Sequence, residues 1–149
     1  MDIILLLFLL FIGAPISVFI HELGHAIAAV SLNANYIEIT LGSGRELYIL
    51  KWKQYVIRCN RIYFIGGVAN YERNKPFTSK EMIWLTLFGP LFNGITASII
   101  FFLLIIYPNV YLQLLFWFNI WLAIANLIPF RIKEKQTDGY TIIQLIKNN

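Results

Sequence analysis

His21-Glu22-Leu23-Gly24-His25 lies near the end of an apolar run that begins at Ile3, and it contains both histidines of the chain. Residues four positions apart lie one turn apart on the same face of a helix, so the two imidazoles can reach one zinc ion. Glu22 stands beside them, where a carboxylate can act on water at the metal. Ionisable groups inside an apolar span are costly and usually functional, so we favour a metal site over polar side chains that are merely satisfied within a helix bundle.

The composition around this motif is that of a membrane protein. Of the 149 residues, 58% are hydrophobic and only 13% are charged, which is too apolar for an ordinary soluble domain of this size. Three stretches are long enough to cross a bilayer, at about residues 3–32, 82–107 and 111–130. We therefore expect one domain over residues 1–149, a membrane all-α fold with a core of three transmembrane helices.

The basic residues predict the orientation of these spans. Eight of them lie between the first and second spans and four follow the third, whereas the short connection at Pro108-Asn109 has none. By the positive-inside rule the N-terminus is outside, the C-terminus is cytoplasmic, and the histidines lie nearer the cytoplasmic face. We expect a multi-pass protein of a bacterial plasma membrane. The apolar opening run lacks a basic start, so it is expected to be retained, and no nucleic-acid partner is expected because no basic surface on a soluble fold is evident.

Residues 36–67 have the pattern of strands rather than of a span. Ile37, Ile39 and Leu41 alternate with more polar residues, and residues 46–51 and 55–63 can pair as a hairpin. We expect a small membrane-associated sheet between the first two helices. The alternative is a basic amphipathic loop that lies on lipid headgroups.

Shorter signals mark the remaining boundaries. Pro15 predicts a kink before His21, residues 70–81 are expected to be a linker, and Thr78 or Ser79 is expected to cap the next helix. Residues 139–149 are expected to form a short amphipathic helix.

Three asparagines lie within the second and third spans. An amide costs free energy in lipid unless it faces the interior of the bundle, so Asn93, Asn119 and Asn126 are expected to point inward. Either a polar seam that faces the metal or hydrogen bonding between helices would explain them. Both interpretations stay open at this point.

A third metal ligand has to be a carboxylate. Catalytic zinc sites commonly have three protein ligands and an open position for water, and this chain has no third histidine. Cys59 is alone, which excludes a disulfide framework and a zinc site built from cysteines. Asp138 is favoured because the third span returns the chain to the side of His25, with Glu134 as the alternative. A simple turn at Asp138-Gly139 would be the structural explanation.

Taken together, these motifs resemble the site-2 proteases, which are intramembrane zinc metalloproteases. The similarity rests on His21-Glu22-Leu23-Gly24-His25, on Phe88-Gly89-Pro90-Leu91-Phe92-Asn93-Gly94, and on Asn126-Leu127-Ile128-Pro129 followed by Asp138-Gly139. The strand-like region that ends in Gly66-Gly67 is similar to the membrane-associated hairpin of these enzymes. One difference is the longer segment, residues 130–137, between Pro129 and Asp138.

The resemblance implies one Zn²⁺ held by His21, His25 and Asp138, with Glu22 as the catalytic acid and base. It also implies that Asn93 and Asn126 lie near the substrate. The expected activity is cleavage of a peptide bond in or near a transmembrane segment, and the expected partners are the bilayer and a transmembrane or membrane-associated peptide. The alternatives are a catalytically inactive zinc-binding scaffold that presents a partner helix, and a small carrier or channel.

Overall fold

Long apolar helices form the body of the protein, and a long hairpin is inserted after the first of them. A computed structural model describes residues 2–132 and 135–147; Glu134, the alternative ligand, lies outside the described residues. The elements in chain order are α1 (Ile3–Phe8), a π-helical turn (Leu9–Gly13), α2 (Ala14–Ser31), β1 (Tyr36–Trp52), β2 (Tyr55–Glu72), α3 (Ser79–Ile106), α4 (Val110–Leu127), β3 (Arg131–Ile132), β4 (Lys135–Gln136) and α5 (Asp138–Lys147).

Three helical stretches are long and apolar enough to cross a membrane by length and composition, at Ile3–Ser31, Ser79–Ile106 and Val110–Leu127. Helix α3 begins at Ser79 rather than at residue 82, because Thr78 and Glu81 form a reciprocal capping box there. Helix α4 ends at Leu127 rather than at residue 130. Pro129 disfavours helical geometry in the residue before it, and Ile128 is accordingly extended.

A π-helical turn lies directly before α2, close to Pro15, where a kink was predicted. Pro15 has no N–H to donate to the Phe11 carbonyl one turn earlier. The hydroxyl of Tyr63, on β2, donates to that carbonyl at 3.2 Å. The hairpin is therefore attached to the helix at the point where the proline leaves a backbone acceptor free.

Strands β1 and β2 pair antiparallel and confirm the predicted sheet. Residues 46–52 pair with 55–60, as expected for the hairpin, and residues 36–41 pair with 67–72. Strand β2 continues to Glu72, so the stretch from residue 70 that was predicted to be linker is partly strand. Residues 37–41 also pair with 55–59 on their other side, which leaves 67–72 at the edge of the sheet.

A charged cluster on β1 and β2 joins the outer part of the hairpin to its inner part. Glu38 accepts hydrogen bonds from Tyr36 at 2.6 Å, Thr40 at 3.1 Å and Arg58 at 3.2 Å, and Arg58 also donates to Glu46. The hydrogen bond from Tyr36, and then the one from Arg58, hold the pKa of Glu38 below its ordinary value of 4.5. The cluster therefore stabilises the folded hairpin most when Glu38 is ionised.

Acidification is expected to loosen the outer hairpin. Because the folded-state pKa of Glu38 is depressed, its contribution is fully present above pH 4.5 and is lost as the pH falls through the lower folded-state value. The protection factors of the strand amides, which correct for the intrinsic pH dependence of hydrogen exchange, should fall over that range. In a Glu38→Gln variant this acid-dependent component should be absent, and equal pH dependence in both proteins would contradict the assignment.

Helices α2 and α3 approach closely at a glycine of the histidine motif. Ala28 and Ala29 of α2 and Leu85 of α3 are fully buried at this interface. A Cβ added at Gly24 would lie 2.4 Å from the carbonyl oxygen of Phe88. The absent side chain thus lets the backbone of α3 reach the face of α2 that carries the histidines.

The Gly24→Ala substitution should push the two helices apart and lower stability by about 1–3 kcal/mol, the usual cost of overpacking. Gly94→Ala on α3 is the matched control, because a Cβ there meets no atom within 4 Å. Thermal unfolding in detergent should show a lower midpoint for the first variant and an unchanged or higher midpoint for the second. Equal midpoints would show that the close contact of α2 and α3 at Gly24 does not limit the stability of the protein.

The segment between Pro129 and α5 contains a short second hairpin. Arg131 pairs with Gln136, and Ile132 pairs with Lys135. The hydroxyl of Thr137 accepts from the Phe130 amide at 3.1 Å and donates to the Ile128 carbonyl at 2.7 Å. Because these bonds hold the two ends of the segment together, the longer connection still returns the chain to the end of α4.

Helix α5 begins against the end of α4. The same Thr137 hydroxyl accepts from the Tyr140 amide at 3.3 Å, which caps the first turn of α5. A Cβ on Gly139 would lie 2.0 Å from the Leu127 carbonyl oxygen, so only glycine fits this contact. Asp138 is thereby placed beside α2. The predicted C-terminal helix is present over the described residues.

Candidate metal centre

The side chains of the histidine motif line a cavity of about 410 Å³ between α2, α3, α5 and the edge of β2. His21 and Glu22 are each 7% exposed, and His25 is 8% exposed. Asp138, at the start of α5, lies on the opposite wall of this cavity. Residues from both ends of the chain therefore meet in one cavity.

Three of these side chains converge on a common point. His21 Nε2 lies 3.1 Å from Asp138 Oδ2, and His25 Nε2 lies 3.6 Å from Asp138 Oδ1. The two Nε2 atoms are 3.2 Å apart. One ligand atom from each residue lies within 4.8 Å of the others, a spacing that suits a single metal ion.

The tautomer of His21 follows from a chain of buried amides. Asn93 Nδ2 donates to the Ser17 carbonyl at 3.0 Å and to Asn119 Oδ1 at 2.9 Å, so Asn93 Oδ1 is an acceptor. That oxygen lies 2.7 Å from His21 Nδ1, which must therefore carry the proton. In the neutral imidazole, Nε2 of His21 then has a free lone pair.

His25 is oriented in the same way by the backbone. Its Nδ1 lies 2.8 Å from the Leu85 carbonyl oxygen, which can only accept a hydrogen bond. Nδ1 therefore donates, and Nε2 presents its lone pair to the same space as that of His21.

The converging atoms are thus all acceptors. When both imidazoles are neutral, their Nε2 atoms and the carboxylate meet with no proton to share, and Asp138 Oδ2 has no hydrogen-bond donor among the described residues although it lies 3.1 Å from His21 Nε2. Buried acceptors without a donor are costly. A cation would satisfy all three groups, and this donor set with oriented imidazoles suits zinc.

Comparison with known proteins shows the family of this chain. A family model described as Peptidase family M50 matches residues 7–111. The chain belongs to Peptidase family M50. A protein of Thermotoga maritima named "Putative zinc metalloprotease" is 29% identical over 99 residues, and the match covers 56% of this chain but 20% of that protein. The resemblance to site-2 proteases is confirmed at the level of the family.

This M50 chain keeps the space between the histidines open with a glycine of α3. A Cβ on Gly89 would lie 2.3 Å from His25 Nε2 and 2.7 Å from His21 Nε2. Any larger residue at position 89 would occupy the point where the lone pairs meet. The absence of a side chain at Gly89 therefore leaves room for a ligand between the two histidines.

Glu22 lies beside this M50 metal centre and against the edge strand. The backbone of Ala69 donates a hydrogen bond to its carboxylate, and Gly67 lies against its side chain. A Cβ on Gly67 would be 2.9 Å from Glu22 Cγ. The edge of β2 thus positions the carboxylate next to the metal-binding groups.

The two asparagines predicted to contact substrate occupy different places. Asn126 lines the cavity, and its amide donates to the Leu122 carbonyl of its own helix. Asn93 is fully buried behind His21, and both ends of its amide are engaged. Their contacts with substrate stay predictions, and the geometry gives Asn93 the additional role of positioning His21.

Some members of this network had no clear signal in the sequence. The hydroxyl of Ser17 accepts a hydrogen bond from Asn119 at 3.0 Å. Its position one turn before His21 on α2 is the one sequence feature that could have indicated this role. The Leu85 carbonyl is a backbone group, so no residue type points to it. Asn119 was expected to face inward, and it lies in the helix-to-helix network that ends at His21.

Removing the buried amide is expected to weaken zinc binding in this M50 protein. Asn93→Ala leaves the His21 Nδ1–H without an acceptor, and loss of such a partner typically lowers metal affinity about 10- to 100-fold. Asn126→Ala is the control, since its amide bonds to its own helix rather than to a histidine. Chelator competition on the purified proteins measures the affinities, and an unchanged affinity in Asn93→Ala would exclude the positioning role.

Proposed function

We propose that this chain is an intramembrane zinc metalloprotease that cleaves a peptide bond in or near a transmembrane segment of a membrane-bound substrate. The proposal rests on one observation: three candidate metal ligands, His21, His25 and Asp138, converge beside the carboxylate of Glu22. The family supports a zinc metalloprotease, and the three long apolar helices support a membrane protein.

His21, His25 and Asp138 would hold one zinc ion. The chemistry that zinc supplies in such a site is Lewis acidity, which lowers the pKa of water and polarises a peptide carbonyl. Glu22 accepts a proton from the attacking water as the new carbon–oxygen bond forms, and it delivers that proton to the amine as the carbon–nitrogen bond breaks. The low exposure of the site keeps bulk water away, which strengthens the electrostatic interactions within it.

The edge of β2 would align the substrate. Residues 67–72 have a free side in the described sheet, and Gly67, Val68 and Ala69 line the cavity beside Glu22. A transmembrane helix hides its amides in its own hydrogen bonds, so a substrate has to unwind before cleavage. An unwound segment can pair with an exposed strand edge, and Asn126 lies where it could bond the same segment.

The proposed setting is a multi-pass protein of a bacterial plasma membrane. The N-terminus would be outside and the C-terminus cytoplasmic, with the metal centre nearer the cytoplasmic face, as the distribution of basic residues predicts. Partners in this setting are the bilayer and a transmembrane or membrane-associated peptide.

The Glu22→Gln variant tests the activity. It removes the proton acceptor but none of the three metal ligands. Cleavage of transmembrane peptides by the purified protein in detergent should therefore fall at least about 100-fold, while the zinc content is retained. Asp2→Asn, an exposed carboxylate-to-amide change before α1 and away from the proposed substrate path, is the matched control and should cleave normally. Full activity in Glu22→Gln would contradict the proposal, and absence of cleavage in the unmodified, zinc-loaded protein would favour a zinc-binding scaffold.

A further inference from the structure

Two cavities meet at the metal centre. The larger, of about 410 Å³, and a second, of about 260 Å³, share His21, Glu22, Gly67 and Asn126 in their walls. If the proposed function holds, a peptide that passes Glu22 in an extended conformation places one flank of its scissile bond in each cavity. The residues that line only one of the two cavities therefore determine which peptide side chains are accepted on each side of the scissile bond.

Strand β4 borders both cavities at once. Lys135 lines the smaller cavity, and Gln136 lines the larger. Successive residues of a strand point to opposite sides, which explains this division. The strand belongs to the segment between Pro129 and Asp138, so the longer connection of this chain contributes directly to the walls around the metal centre.

The two cavities differ in charge. Among the described residues, the wall of the larger contains two carboxylates, Glu22 and Asp138, and no lysine or arginine. The smaller contains Glu22 and Lys135, and its remaining wall is mainly apolar or glycine, at Val18, Gly66, Gly67 and Leu122. Lys135 forms no ion pair within the part of the chain that the structure describes.

We infer that Lys135 is a specificity-determining residue that selects peptides with an acidic side chain on the flank that occupies the smaller cavity. Glu22 lies deep in the site and is bonded by the Ala69 backbone, whereas Lys135 is exposed at the rim. An acidic side chain at the rim would meet the ammonium group before it meets Glu22. In the larger cavity the same side chain would face two carboxylates without a basic residue.

The size of the preference follows from the exposure of Lys135. Exposed ion pairs contribute little because water and salt screen them, so a roughly 1.5- to fivefold preference in kcat/KM is expected rather than a larger one. The preference should appear at one substrate position on one side of the scissile bond. Raising the ionic strength should reduce it.

The test uses the whole chain of residues 1–149 and a series of otherwise identical transmembrane peptides with Glu, Gln or Lys at each position that flanks the scissile bond. The unmodified protein should favour Glu over Gln at one position. Lys135→Gln should abolish that preference, and Lys135→Glu should shift it toward a peptide with Lys at the same position. Lys147→Glu on α5, which changes the net charge equally but lines neither cavity, should leave the preference unchanged.

Binding of the same peptides to the Glu22→Gln variant, alone and combined with each Lys135 substitution, separates this inference from the proposed function. A Glu preference in binding that depends on Lys135 supports the inference even if no peptide is cleaved. Equal binding of the Glu and Gln peptides, or a preference that survives in Lys135→Glu, would overturn it. Zinc content and the thermal midpoint of each variant verify that the metal centre is intact.

Discussion

The structure depends on one constraint, which is that two imidazoles must present unprotonated nitrogens to the same small space. A histidine side chain does not fix its own tautomer, so each ring needs an acceptor at Nδ1. His25 finds the carbonyl of Leu85, and His21 finds Asn93, which is itself held by Ser17 and Asn119. Helices α2, α3 and α4 are joined through these bonds, so the packing of the bundle and the chemistry of the site are parts of the same arrangement.

Close packing of backbones makes that arrangement possible. At Gly24, Gly89 and Gly139 a single added carbon would collide with a carbonyl or an imidazole of a neighbouring element. Each glycine serves a different contact: α2 against α3, α3 against the histidines, and α5 against α4. Protein interiors cannot absorb an additional carbon without movement. The positions of the metal-binding groups are therefore determined by where side chains are absent as well as by where they are present.

Much of this could be predicted from patterns of short range. The spacing of His21 and His25 needs only helical periodicity, the long apolar helices need only hydropathy, and the strand alternation near Ile37 needs only period two. The rest depends on contacts between residues distant in sequence. The extension of β2 to Glu72 depends on pairing with residue 36, and the meeting of Asp138 with the histidines depends on bonds that close residues 130–137 into a loop. No local pattern reports the Leu85 carbonyl as a hydrogen-bond acceptor for a histidine.

The order of the donors along the chain has a consequence for biosynthesis. Two metal-binding groups lie on the first long helix, whereas the third begins the last helix. During translation, the histidines and Glu22 enter the folding protein long before Asp138 has been made. A nascent chain thus lacks the complete donor set until α3 and α4 are in place and the segment after Pro129 has turned back. The complete set of three candidate ligands can therefore come together only after Asp138 has been synthesised.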